Sequence, residues 1–72
     1  MLTDEPAINL RALRESASLS QVELARRAGI AAVTIVRLEG GRHAPRTRTI
    51  RKLTAALSVR SQDLFVDIHS LR

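Results

Sequence analysis

Apolar residues three and four apart in five successive windows predict an all-α fold of five short helices, since that spacing stacks side chains along one face of a helix. Two punctuation signals support the same reading. Ser20 and Glu23 stand as S-x-x-E ahead of "QVELARRA", a capping box, and single or paired glycines (Gly29, then Gly40 and Gly41) follow two of the windows. No window alternates in the manner of a strand. The 72 residues are one domain, 1–72, with no linker and no internal repeat. Hydrophobic content is 44% and Phe65 is the only aromatic residue, so Leu, Ile, Val and Ala must build the core.

Pro6 suits a helix start, and Leu10, Leu13 and Ala17 recur at helical spacing behind it until Ser18 breaks the pattern. Helix two is "QVELARRA", with Leu24, Ala25 and Ala28 inward and Gly29 past its end, where a left-handed residue costs least. Helix three is expected over 32–39, with Ile35 and Leu38 inward and Gly40 and Gly41 stopping it. Pro45 ends a polar loop, and Thr47 is expected to cap a fourth helix bearing Ile50, Leu53, Ala56 and Leu57. Ser61 is expected to cap a fifth, with Leu64, Ile68 and Leu71 on one stripe and Phe65 beside it.

Composition excludes several classes. Without cysteine there is no disulfide, thiolate metal site or cysteine nucleophile, and a reducing cytoplasm fits. The start "MLTDEPAINL" has no basic segment followed by an apolar run, so no signal peptide is expected, and the most apolar stretch, 28–36, is too short to span a bilayer. His43 and His69 are the only histidines and neither has a carboxylate cluster, so no metal is expected, and His43 reads as a neutral loop residue. No nucleophile motif and no phosphate-cradling glycine loop is present, so the chain reads as a non-enzyme without cofactor or small-molecule ligand. The net charge is +5, eleven of the twelve basic residues are arginine, and "RHAPRTRTIRK" holds five basic residues and no acidic one. Arginine's planar fork suits phosphate and guanine.

A helix, a tight glycine turn and a second helix form the unit that lays its second member in the DNA major groove. Four motifs then carry a resemblance: "LSQVELA", Gly29, "RLEGGR" and "TIRKLTAALSV". Together they resemble the Cro and lambda-repressor-type helix-turn-helix family, also called the Xre family, over residues 8–65. The resemblance implies a compact five-helix bundle that binds DNA as a transcriptional regulator, usually as a dimer. The chain departs from the pattern at three places. Ser18 and Ser58 stand where the family has glycines, and Arg46 follows Pro45 where it has a capping serine. Helix three carries Ala31, Ala32, Val33 and Val36 where polar residues are usual.

By the resemblance, the amide of Gln21 holds a backbone phosphate, and Arg14 pairs with Glu39 across the domain as architecture. In helix three, Thr34 and Arg37 are three apart and Val33 and Arg37 four apart, which makes them one exposed strip. Arg37 is read as a bidentate guanine contact. Val33, with Ala32 and the Thr34 methyl, either meets a thymine methyl or is surface for packing or a protein contact. Arg42, Arg46, Thr47 and Arg48 border the start of helix four, where free N–H groups favour anions. Arg46 has two readings, a phosphate contact or insertion into a narrow minor groove.

These residues lead to a sequence-specific DNA-binding regulator, repressor or controller, that acts on double-stranded DNA as a homodimer through Phe65, Ile68 and Leu71 and binds a near-palindromic operator. No further sensing or cleavage domain is expected after helix five. The rival reading is a protein-binding module, an antitoxin or accessory domain, whose apolar third helix docks on protein.

Overall fold

The computed structural model describes residues 7–41 and 44–66. In chain order they form β1 (Ala7–Ile8), α1 (Leu10–Ser16), α2 (Gln21–Ala28), α3 (Ala32–Glu39), α4 (Thr47–Leu57), a 3-10 turn (Ser61–Leu64) and β2 (Phe65–Val66).

Four α-helices are present among the described residues, not the five expected. The fifth shrinks to the single 3-10 turn, and the chain then extends so that Ala7 pairs with Val66 and Ile8 with Phe65, antiparallel. The physical reason is a competition that local periodicity does not register. Phe65 is extended at φ −111°, ψ 128°, as its aromatic side chain favours. The Asn9 N–H donates to the Leu64 carbonyl at 2.6 Å and ties the end of the turn to the start of α1. The same pairing takes Ala7 and Ile8 out of the first helix, which begins at Leu10 and not beside Pro6. Ile68 and Leu71 lie outside the described residues, and so does Pro6.

The core is aliphatic. Five side chains are fully buried, and each comes from a different element: Leu10 from α1, Leu24 from α2, Ile35 from α3, Leu53 from α4 and Leu64 from the 3-10 turn. Leu19, Ala25, Ala28 and Leu38 complete the buried set, with Leu13, Ile30, Ile50, Ala56, Leu57 and Phe65 packed around it. Ala17, expected inward, is exposed at the end of α1.

Helix ends are set by local chemistry. At the start of α2 the capping box closes in both directions: the Glu23 N–H donates to Ser20 Oγ at 3.0 Å, and the Ser20 N–H donates to Glu23 Oε1 at 2.8 Å. These hydrogen bonds hold the Glu23 carboxyl below its ordinary value, the Ser20 backbone N–H contributing most. Two expected caps are corrected. Arg46, extended after Pro45 and making no side-chain cap, precedes α4, so Thr47 is its first helical residue. At the 3-10 turn, Arg60 precedes Ser61 and its N–H donates to Asp63 Oδ2 at 2.9 Å.

At their C-termini α1, α2 and α4 end alike. The N–H that follows the left-handed residue reaches back five positions: Leu19 to the Arg14 carbonyl, Ile30 to Ala25 and Val59 to Thr54, at 3.0–3.1 Å. That closure needs a left-handed residue, supplied by Gly29 (φ 71°) in α2 but by Ser18 (φ 59°) and Ser58 (φ 57°) in α1 and α4. Left-handed backbone costs an L-residue about 1 kcal/mol or more, part of which glycine returns through its freer unfolded chain. Ser18→Gly and Ser58→Gly are therefore each expected to stabilise the domain by about 0.5–1 kcal/mol, read as a rise of a few degrees in thermal melting.

Candidate nucleic-acid interface

The site begins at Gly29. Its left-handed backbone, with the Gly29 N–H on the Arg26 carbonyl at 3.3 Å, turns the chain from α2 into α3 within three residues. An ideal Cβ built on Gly29 meets nothing within 4 Å, so the glycine is required by backbone conformation and not by space. Ile30 packs on the core beneath the turn, and α2 packs mainly on α3 and α4.

Within α3 the pitch of about 100° per residue decides which side chains face out. Ile35 and Leu38 are buried, and Val33 (50% exposed), Val36 (49%) and Arg37 are outside. Thr34 is only half-buried on the flank, and Ala32 is half-buried and packs against the core on the other side. The outer crest is thus Val36, Val33 and Arg37 in that angular order, not the Thr34–Val33–Arg37 strip expected from spacing. Beside it, a groove of ≈ 330 Å³ runs between α3 and the loop into α4, bordered by Thr34, Arg37, Pro45, Arg46 and Thr49. Thr49, the third residue of α4, is a member of the groove that the sequence does not reveal, because nothing local sets it apart from Thr47.

Two helix N-termini lack a side-chain cap. Ala31 precedes α3 and Arg46 precedes α4, and neither helix has a side-chain cap, so the first N–H groups of both are free of one. Arg46, Thr47 and Arg48 are exposed around the start of α4, whereas Arg42 and His43 lie outside the described residues.

A part-buried polar cluster, shielded from solvent mainly at the Arg14 and Glu39 side chains, holds α3 against the helices before it. Arg14 Nε donates to Glu39 Oε2 at 2.6 Å and Arg14 Nη2 to Glu39 Oε1 at 3.1 Å, a two-pronged pair whose side chains are 11% and 6% exposed. Arg14 Nη1 also donates to the Leu19 carbonyl at 2.8 Å. Gln21 Nε2 donates to Glu39 Oε1 at 3.1 Å, so one carboxylate joins α1, α2 and α3. Burial pushes the Glu39 carboxyl up, but the donors Arg14 and Gln21 and the Arg14 charge outweigh it and hold the group below its ordinary value. The hydrogen bond to Glu39 raises Arg14 in turn. The Gln21–Glu39 contact has no local sequence signal, since eighteen positions separate the two.

Charge is segregated along the chain. From Leu24 to Arg60 the only acidic residue is Glu39, already committed to Arg14 and Gln21, while Arg26, Arg27, Arg37, Arg46, Arg48, Arg51 and Lys52 are exposed. Phe65 is half-buried in β2 and packs against the core.

Two helices hinged on a left-handed glycine, the second presenting an uncapped N-terminus and an exposed crest, define a helix-turn-helix domain. The chain belongs to the helix-turn-helix domain family, which it matches over residues 7–65. It is 35% identical over 57 residues to an uncharacterized HTH-type transcriptional regulator of Archaeoglobus fulgidus, covering 79% of this chain and 81% of that one. Among solved structures it is similar to the restriction-modification controller protein C.AhdI from Aeromonas hydrophila, with a TM-score of 0.74 and 34% identity over 78% of this chain and 85% of the other. It is also similar to a hypothetical transcription factor, NHTF, from Neisseria, with a TM-score of 0.77 and 28% identity over 96% and 89% of the two chains. No helix of the described residues is long and apolar enough to cross a membrane.

Proposed function

We propose that this chain is a sequence-specific DNA-binding transcriptional regulator that acts by binding and not by catalysis. The observation that carries the reading is the groove shared by α3 and the start of α4, where Arg37 and Arg46 are exposed and no acidic residue is among the described lining. Both helices open without a side-chain cap, and the crest of α3 stands exposed beside the groove. The major groove admits an α-helix, and there Arg37 offers two parallel donors to guanine O6 and N7. Gln21, Arg42, Arg46, Thr47 and Arg48 take the flanking phosphates, and Val33 on the crest meets the base edges, with Thr34 at its flank and Ala32, turned toward the core, withdrawn from them. Glu39 fixes the orientation of the Gln21 amide, and its second N–H, which has no partner among the described residues, is the donor for a phosphate.

The working unit in this reading is a homodimer on a near-palindromic site, with two copies of α3 about 34 Å apart. Phe65, Ile68 and Leu71 are the residues assigned to its interface. The relatives favour this class, being described as regulators of transcription or as a restriction-modification controller. A second reading, docking of α3 on a protein partner, is favoured by one observation, the exposure of Val33 and Val36.

Salt separates the two. A duplex selected from a random pool, titrated with the protein at several ionic strengths, should give a straight fall of log K against log salt, with a slope of about −0.9 per phosphate neutralised. Failure to retain any duplex, or affinity indifferent to salt, overturns the DNA reading and leaves the protein partner.

A further inference from the structure

The crest of α3 carries a single hydrogen-bonding group. Val33 lies at its centre with Val36 on one side and Arg37 on the other, while Thr34, the only other polar residue before Glu39, is turned half into the groove flank. We propose that Val33 and Val36 are specificity-determining residues that read the C5-methyl groups of thymines in the major groove, next to the guanine taken by Arg37. The inference rests on the DNA-binding reading above and names what this face recognises.

The thymine methyl is the one apolar group that any base pair presents in the major groove, so a crest of two isopropyl groups has one kind of base-edge partner there. Valine in a helix holds nearly one side-chain rotamer, so its methyls are already placed and little freedom is lost on contact. The surroundings select a polyanion over an apolar protein surface: Arg37 and Arg46 are exposed at the groove, Arg48 is exposed in the first turn of α4, and Glu39 is neutralised by Arg14. Exposed apolar surface is also sparse: Val22, Val33 and Val36 are the only exposed large hydrophobic residues among those described, and none is aromatic, whereas the centre of a protein interface is enriched in aromatic side chains.

Uracil differs from thymine only by that methyl group and pairs identically, so the test leaves every hydrogen bond in place. In a duplex selected with the purified protein, each thymine is replaced singly by uracil and binding is measured with the wild type, Val33→Ala and Val36→Ala. The expected result is one or two positions in each half-site where uracil weakens binding about fourfold, the value of one buried methyl group. At those positions the matching alanine variant should lose most of its sensitivity to uracil while keeping its response to salt. Uracil silent at every thymine, or a selected site with no thymine beside its guanine, overturns the methyl reading while DNA binding stands. Alanine variants as sensitive to uracil as the wild type overturn the assignment to these valines. If no duplex is retained at all, both readings fall together.

Discussion

Glu39→Ala is expected to destabilise the domain by about 3 kcal/mol, because it leaves the Arg14 guanidinium buried without its counter-charge. A 72-residue domain has roughly 4–11 kcal/mol in total at typical values per residue, so the variant should melt about 12 °C or more below the wild type. The effect is larger than one ion pair would suggest because Gln21 and the Arg14–Leu19 hydrogen bond lose their anchor with it. Replacing both partners by apolar residues of similar volume, Arg14→Met with Glu39→Leu, should recover most of the stability, since no uncompensated charge remains. That recovery distinguishes a broken pair from a broken helix. Acid should mimic the single mutant. The Glu39 carboxyl is held below its ordinary value in the fold, so its contribution is complete above the ordinary glutamate range and is lost as pH falls through the lowered value. Thermal melts from neutral pH down through the glutamate range check this, with Glu39→Gln expected to show the flatter profile.

Arg37→Ala should leave melting unchanged, because Arg37 is exposed and makes no hydrogen bond or ion pair among the described residues. On the selected duplex it is expected to weaken binding by about 1–3 kcal/mol, or roughly 5- to 150-fold, and to relax the preference at one base pair while leaving the others alone. The pattern matters as much as the size. Removing a phosphate-binding group would instead weaken all sequences evenly and reduce the salt slope by about one. A variant that binds the selected site as tightly as the wild type would remove Arg37 from base reading.

The helix-turn-helix pair is legible in the sequence because its boundaries are local. Ser20, Glu23 and Gly29 set α2, and Gly29 with Gly40 brackets α3, each acting on backbone groups within five residues. The end of the chain is not. Leu64 and Phe65 read as a helical stripe with Ile68 and Leu71, yet Phe65 and Val66 pair with residues 57 and 59 positions earlier, beyond the reach of any periodicity. Thr34 shows a subtler limit. Spacing from Arg37 places it on the same side of α3, but Thr34 faces the groove that separates α3 from the loop through Pro45 and is half-buried there. The Arg14–Glu39 pairing is legible only through family resemblance, since two residues 25 apart carry no local sign of meeting. Within the site, residue identities can be read directly, and burial decides which of them reach the outside.

Chemical probing of the bound duplex tests most directly whether α3 lies in the major groove. Dimethyl sulfate methylates guanine N7 in the major groove and adenine N3 in the minor groove, so one reaction reports both faces of the site. The expected result is protection of guanine N7 in two patches about one helical turn apart, with the guanine facing Arg37 losing its protection in Arg37→Ala. Protection confined to adenine N3, or guanines that react as in free DNA while the protein is bound, would contradict it.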